Sequence, residues 1–275
     1  MNEIAASQVV NTKIETILLL HGATSAHDIW TPLLGLFPAN YRVIPLALPG
    51  HLDGEPVDLN SSISIDSLSD KIIFDMHRQG IESAHVVGNS LGGWLALELA
   101  RRGIAESVTA FSPAGSWPNK SAFQRIARAM VLACRLFPIL RPLVAPLMKF
   151  APARRCLFAT QMMYGERVTA AVARRLLLGV CRCPVIPPLI ASFAEKGAMQ
   201  PLLNAEVPIN IVWSANDAIL PAEVFLQKMR ETVPTAQFLT LANAGHVPMY
   251  DQPDAMVEYI NNSIGQAKTG RDSRL

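Results

Sequence analysis

Short, continuous apolar runs alternate with longer stretches of helical period along most of the chain. Ile17-Leu18-Leu19-Leu20 closes an extended stretch read over residues 4–20, and Tyr41-Arg42-Val43-Ile44-Pro45-Leu46-Ala47-Leu48 repeats the form. Ala84 to Val87, Ser107 to Phe111, Ile209-Asn210-Ile211-Val212-Trp213 and Gln237-Phe238-Leu239-Thr240-Leu241 follow. Runs of this length without polar alternation suit strands buried on both faces, as in a parallel sheet. Between them the spacing predicts a helix over about Ile65–Gln79, closed by Gly80, and another beginning just after Ser90. Further helices are predicted near Ala222–Glu231 and from Pro253 to about Ile264, with a polar, frayed tail after Gly265. Strand and helix in alternation predict an α/β fold, a mostly parallel, doubly wound sheet with helices on both faces.

From about Ala114 to Leu203 the alternation stops. The stretch is helical in tendency but punctuated by Pro138, Pro142, Pro146, Pro152, Pro184, Pro187 and Pro188, which predicts several short helices lying over something else. It reads as an insertion, residues 114–203, in a core made of residues 1–113 and 204–275. Charge marks the same segment: Lys120 to Lys196 holds 13 Lys and Arg against Glu166 and Glu195, a balance of +11, while the remainder carries −9 within a total of +2. Half of the residues are hydrophobic and 17% charged, enough apolar material for one large core. Cys134, Cys156, Cys181 and Cys183 all fall in the basic segment. Cys181-Arg182-Cys183 is too tightly spaced for a usual zinc pair and no histidine lies nearby, so reduced, mostly buried thiols are expected. The start, Met1-Asn2-Glu3-Ile4, has no basic, apolar leader, and the most apolar stretch, Ala129 to Phe150, is interrupted by Arg135, Arg141 and three prolines. It reads as a poor membrane span, and a cytoplasmic location is the expectation. The basic segment admits three readings: steering of an anionic substrate, contact with an anionic membrane surface, which is not favoured, or simple balance against the acidic core.

The chemistry gathers at Gly88-Asn89-Ser90-Leu91-Gly92, with a strand before it and Trp94-Leu95-Ala96-Leu97 after it. A serine on so sharp a strand-to-helix turn presents its hydroxyl at the carboxyl edge of a sheet. The hydroxyl is a weak nucleophile until a base takes its proton. Of six histidines, His77 and His85 fall inside elements, and His27 and His51 have loop-packing roles as the default. His246 follows the last predicted strand and so reaches the same edge as Ser90. Asp217, just past another strand, is the expected acceptor for that imidazole, with Asp251 as a rival and a turn-capping role as the alternative. Backbone amides of Leu91, opening a helix, and of Ala23, in His21-Gly22-Ala23-Thr24, are the expected oxyanion donors, with His21 as a loop organiser. Trp30, Trp94, Pro113, Trp117, Val247 and Met249 are candidate pocket walls, for each of which core packing is an equal alternative. No ligand cluster and no Gly-x-Gly-x-x-Gly after a strand point to a metal or organic cofactor.

The order Ser…Asp…His, the His-Gly loop, the Gly-Asn-Ser-Leu-Gly-Gly elbow and Gly-His-Val-Pro together resemble the α/β-hydrolase superfamily over essentially the whole chain, with residues 114–203 where that family inserts a helical cap. The resemblance implies Ser90 as nucleophile, Asp217 as acid, His246 as base and the Ala23 and Leu91 amides as oxyanion hole. Members with an aspartate at the elbow, such as haloalkane dehalogenases and epoxide hydrolases, are disfavoured by Ser90. Carbon–carbon bond hydrolases share a similar elbow but commonly carry tryptophan where this chain has Val247. Leu52 stands where the frequent Pro-Gly-His-Gly pattern has its last glycine. The expectation is a serine hydrolase cleaving an ester or thioester of a small, mainly apolar molecule, without nucleic acid as a partner. Hydrolysis of a diketone or dienoate, and slow-turnover ligand binding on the same scaffold, are the rival readings.

Overall fold

In the computed structural model, residues 14–272 are described. The earlier part of the extended reading, residues 4–13, and the last three residues of the tail lie outside them. Six strands form one parallel sheet in the order β2-β1-β3-β4-β5-β6: β1 (Glu15–Leu20), β2 (Tyr41–Leu46), β3 (Ala84–Asn89), β4 (Ala105–Phe111), β5 (Ile209–Ser214) and β6 (Gln237–Leu241). Side chains along β1 show why the sheet is covered twice. Leu18 and Leu20 join one apolar cluster with Leu68 and Ile72 of α2 (Ile65–Arg78), Leu95 and Leu99 of α3 (Leu91–Arg101), and Phe225 of α8 (Ala222–Thr232). Ile17 and Leu19 join the other, with Leu33 of the short α1 (Thr31–Leu34) and Met256 and Ile260 of α9 (Pro253–Asp272). Successive strand residues point to opposite faces, so an unbroken apolar run feeds both cores.

Local chemistry sets the helix limits. Ser64 begins α2 through a capping box: its hydroxyl accepts from the Ser67 amide, and the Ser67 hydroxyl accepts from the Ser64 amide. At the other end the helix gives way at Gln79 to Gly80, whose φ of 73° favours glycine. The last helix runs further than its sequence suggests, through Asp272. Ile264 and Ala267 are buried, and Lys268 Nζ lies 2.6 Å from Glu15 Oε2 and donates to the Tyr41 hydroxyl, so the expected frayed tail is tied to the starts of β1 and β2.

Between β4 and β5 the chain forms α4 (Lys120–Val144), α5 (Ala151–Phe158), α6 (Ala170–Cys181) and α7 (Ile186–Lys196). Prolines were expected to cut this segment into short pieces, yet α4 is 25 residues long and contains Pro138 and Pro142. An interior proline costs a helix about 3 kcal/mol. Both rings lie on exposed positions, where water can serve the backbone groups that lose a partner. Of the four thiols, Cys183 is buried and Cys156 exposed, so the expectation of mostly buried cysteines holds only in part; all four are free. Burial pushes the Cys183 thiol far up, out of the reactive range.

The strand order reverses direction at β1 and β3, the switch point of a doubly wound sheet, where a crevice opens at the carboxyl ends of the strands. Ser90 follows β3 directly, the His21-Gly22-Ala23 loop follows β1, Asp217 follows β5 and His246 follows β6.

Candidate active site

Ser90 occupies the residue between β3 and α3 at φ 56°, ψ −115°, a backbone conformation unfavourable for a side chain by about 1–3 kcal/mol. Packing on both sides holds it there. The Ser90 amide donates to Phe111 O at 3.0 Å, and its carbonyl accepts from the amides of Trp94 and Ala114. Gly88 and Gly92 make the turn sterically feasible: a Cβ on Gly88 would lie 2.1 Å from Gly92 O, and one on Gly92 would lie 2.1 Å from Leu20 O. The first helical amides of α3 have no acceptor within the helix, so Leu91 N–H opens beside the serine.

Asp217 is fully buried at its side chain and performs two tasks. Its Oδ1 accepts from the amides of Ile219 (2.9 Å) and Leu220 (2.7 Å), while Oδ2 lies 2.7 Å from His246 Nδ1. Turn-capping and imidazole-holding, alternatives in the sequence, coexist on one carboxylate. Because Nδ1 serves Asp217, Nε2 is the ring nitrogen that can act on a bound molecule. His246 and Ser90 line one cavity of about 560 Å³, though among the described residues no hydrogen bond joins them. Gly22, Ala23 and Leu91 line it too, and the β1 loop comes so close that a Cβ on Gly22 would lie 3.4 Å from Ser90 Cβ.

Asp251, the rival carboxylate, takes a different role. It accepts from the amides of Met163, Tyr164 and Gly245, tying the segment after α5 to the loop that carries His246. Sequence reasoning missed Asn89, whose Nδ2 donates to both Phe111 O and His246 O (3.1 and 2.8 Å) and so fixes the histidine loop against the elbow. It also missed Gln161, whose carbonyl accepts from the Val247 amide. An asparagine beside the serine was visible; its 157-residue reach to His246 was not.

Four of the candidate wall residues stand outside the cavity. Trp30 and Met249 have no solvent exposure and fill the core against α9, Trp94 stacks on Phe193 at 4.7 Å, and Pro113 is packed onto Gly93. Large apolar side chains at these positions complete the packing between elements. Trp117 and Val247 do line the cavity, together with α4 residues such as Phe123, Met130 and Phe137.

His21 is wholly buried: its Nε2 accepts from the Leu48 amide, so Nδ1 carries the proton and donates to Gly22 O at 2.8 Å. Burial first, then the neighbouring His51, hold its imidazole well below the usual range, and burial lowers His51 to about 4. Folding does assemble donor clusters not visible in the linear sequence. Glu15, His85 and Glu106 place donor atoms within 4.8 Å of one another, as do His27, Asp28 and Asp53. Lys268 meets Glu15 in the first and Arg175 binds Asp28 and Asp53 in the second, so protein cations serve both. Neither includes Ser90 or His246.

A strained serine elbow at the switch point, with an Asp-held histidine on the same cavity, defines an enzyme scaffold of the α/β hydrolase class. The chain belongs to the alpha/beta hydrolase family, whose sequence model matches residues 17–259. It is 32% identical over 204 residues to an epoxide hydrolase of Mycobacterium tuberculosis, covering 72% of this chain and 93% of that one. It is 26% identical over 261 residues to a pimeloyl-[acyl-carrier protein] methyl ester esterase of Aromatoleum aromaticum, covering 90% and 97%. Among solved structures, a thermophilic esterase from Thermogutta terrifontis superposes with a TM-score of 0.69 at 20% identity, covering 92% of this chain and 90% of that chain.

Proposed function

We propose that this hydrolase cleaves the carboxyl ester or thioester of a small, mainly apolar molecule through an acyl-enzyme on Ser90. His246 Nε2 takes the Ser90 proton as the oxygen attacks the carbonyl carbon, and Asp217 holds the imidazole tautomer and stabilises its cation. The tetrahedral oxyanion is met by the Ala23 and Leu91 amides, each such donor worth about 3 kcal/mol in the transition state. His246 then protonates the leaving alcohol or thiol, and water repeats the sequence to release the acid. The Ser90–His246 bond closes when substrate excludes water, as is common for sites of this kind. Residues 114–203 act in this scheme as a cap on a core of residues 1–113 and 204–275, with Trp117, Val247 and the cavity side of α4 selecting the acyl group.

The observation that carries this reading is the 2.7 Å Asp217–His246 pair on the same cavity as a serine held at positive φ. A second reading, epoxide opening, is favoured by the 32% identity to the mycobacterial epoxide hydrolase. Chemistry argues against it. A carboxylate that opens an epoxide forms an ester, which water can cleave at its carbonyl, whereas a serine would form an ether with no carbonyl to attack. Assay of p-nitrophenyl esters and styrene oxide side by side separates the two. Ester turnover with an acyl adduct on the Ser90 peptide is expected; epoxide turnover without ester cleavage contradicts the proposal.

A further inference from the structure

The helix α4 has apolar residues on two sides, and only one of them belongs to the cavity. Phe123, Ile126, Met130, Ala133 and Phe137 recur at helical spacing and line it. Leu132, Leu136, Ile139, Leu140 and Leu143 recur at the same spacing on another side, continued by Leu147 and Phe150 beyond the helix, and all seven are exposed. Ile139 and Leu143 are each 72% exposed. Scattered exposed leucines need no account, but a contiguous stripe of this length marks a surface that something else covers.

Charge decides what that is. Between Lys120 and Gly165 the chain carries eight bases, Lys120, Arg125, Arg128, Arg135, Arg141, Lys149, Arg154 and Arg155, and no acid. Arg128 and Arg135 lie one turn before and after Leu132, on the flank of the stripe. A second copy docked stripe to stripe would set these cations against their own images, whereas an anionic lipid surface complements them. The stretch Lys120–Lys149 is long and apolar enough to cross a bilayer, but its cavity-facing side and its packing on α6 and α7 commit it to the protein. An amphipathic helix with a basic border lies in the headgroup plane instead of spanning.

We infer that the exposed side of α4 docks this enzyme flat on an anionic phospholipid bilayer, with Leu136, Ile139 and Leu143 inserted among the acyl chains and the flanking arginines on the headgroups. The wall of the substrate cavity is then also the wall that touches lipid. Membrane contact, disfavoured from the sequence, gains its weight from the stripe's exposure, which composition could not show.

Co-sedimentation with vesicles tests this independently of turnover. The protein is expected to pellet with vesicles of phosphatidylcholine and phosphatidylglycerol, to stay in solution with phosphatidylcholine alone, and to be released by salt. The variant Ile139→Glu/Leu143→Glu should bind the anionic vesicles about a hundredfold more weakly with an unchanged thermal midpoint, since both side chains stand in solvent. Arg128→Gln/Arg135→Gln should weaken binding with the apolar stripe intact. Failure of the native protein to pellet with anionic vesicles overturns the inference. So does a dimer in solution that the Glu variant dissociates, because a second copy then covers the stripe.

Discussion

At the scale of single residues, Asp217 makes the most specific demands. Its two oxygens serve different partners, one the imidazole and one a pair of loop amides. Asp217→Asn keeps an acceptor for the loop but removes the anion that the histidine cation needs, so kcat is expected to fall about a thousandfold or more with little change in thermal midpoint. Asp217→Ala should lower the midpoint as well, because buried amides are left without an acceptor at about 1–3 kcal/mol. Steady-state kinetics beside thermal denaturation checks both. Asn89→Ala should slow turnover and destabilise by a similar amount, since His246 O and Phe111 O each lose a donor. The placement of Ser90, His246 and Asp217 at one edge was legible because each follows a strand end, and in a parallel sheet all strand ends share one rim. Four of the six wall residues were not: whether Trp30 or Trp94 faces a cavity or a core depends on how helices pack, about which residue type is silent.

At the scale of elements, the elbow depends on α3 approaching both β3 and the end of β1 more closely than side chains permit. Gly88→Ala or Gly92→Ala sets a methyl 2.1 Å from a backbone oxygen, which neither strand nor helix can yield cheaply. Each is expected to destabilise by about 3 kcal/mol or more, while Gly35→Ala, with no atom within 4 Å of its added Cβ, should leave the midpoint nearly unchanged. Equal midpoints for Gly35→Ala and Gly92→Ala would contradict this packing. The strands and α2 were readable from apolar runs and a capping serine, which are local signals. The length of α4 was not, since proline reads locally as a breaker and only its exposed setting lets the helix continue. Nor was the end of α9, which is held by Lys268 on a strand more than two hundred residues earlier.

At the scale of the molecule, buried imidazoles couple stability to pH. His51 titrates near 4 when folded and near 6.5 when free, so the unfolded chain binds more protons in that range and stability falls as pH drops from about 6.5 towards 4. The loss reaches about 3 kcal/mol for His51, and His21, lowered for the same reason, adds to it. Urea midpoints at neutral and acid pH should therefore diverge, and less so in His51→Gln. The charge contrast between the basic helical segment and the acidic remainder was plain in the sequence, but the exposed apolar stripe of α4 within that basic segment was not. The claim on which the function rests is that Ser90 is activated by His246. A fluorophosphonate probe followed by mass spectrometry tests it most directly. One label per chain on the Ser90 peptide is expected, absent in Ser90→Ala and slowed at least a hundredfold or so in His246→Ala; labelling that persists in Ser90→Ala, or keeps its native rate without His246, contradicts it.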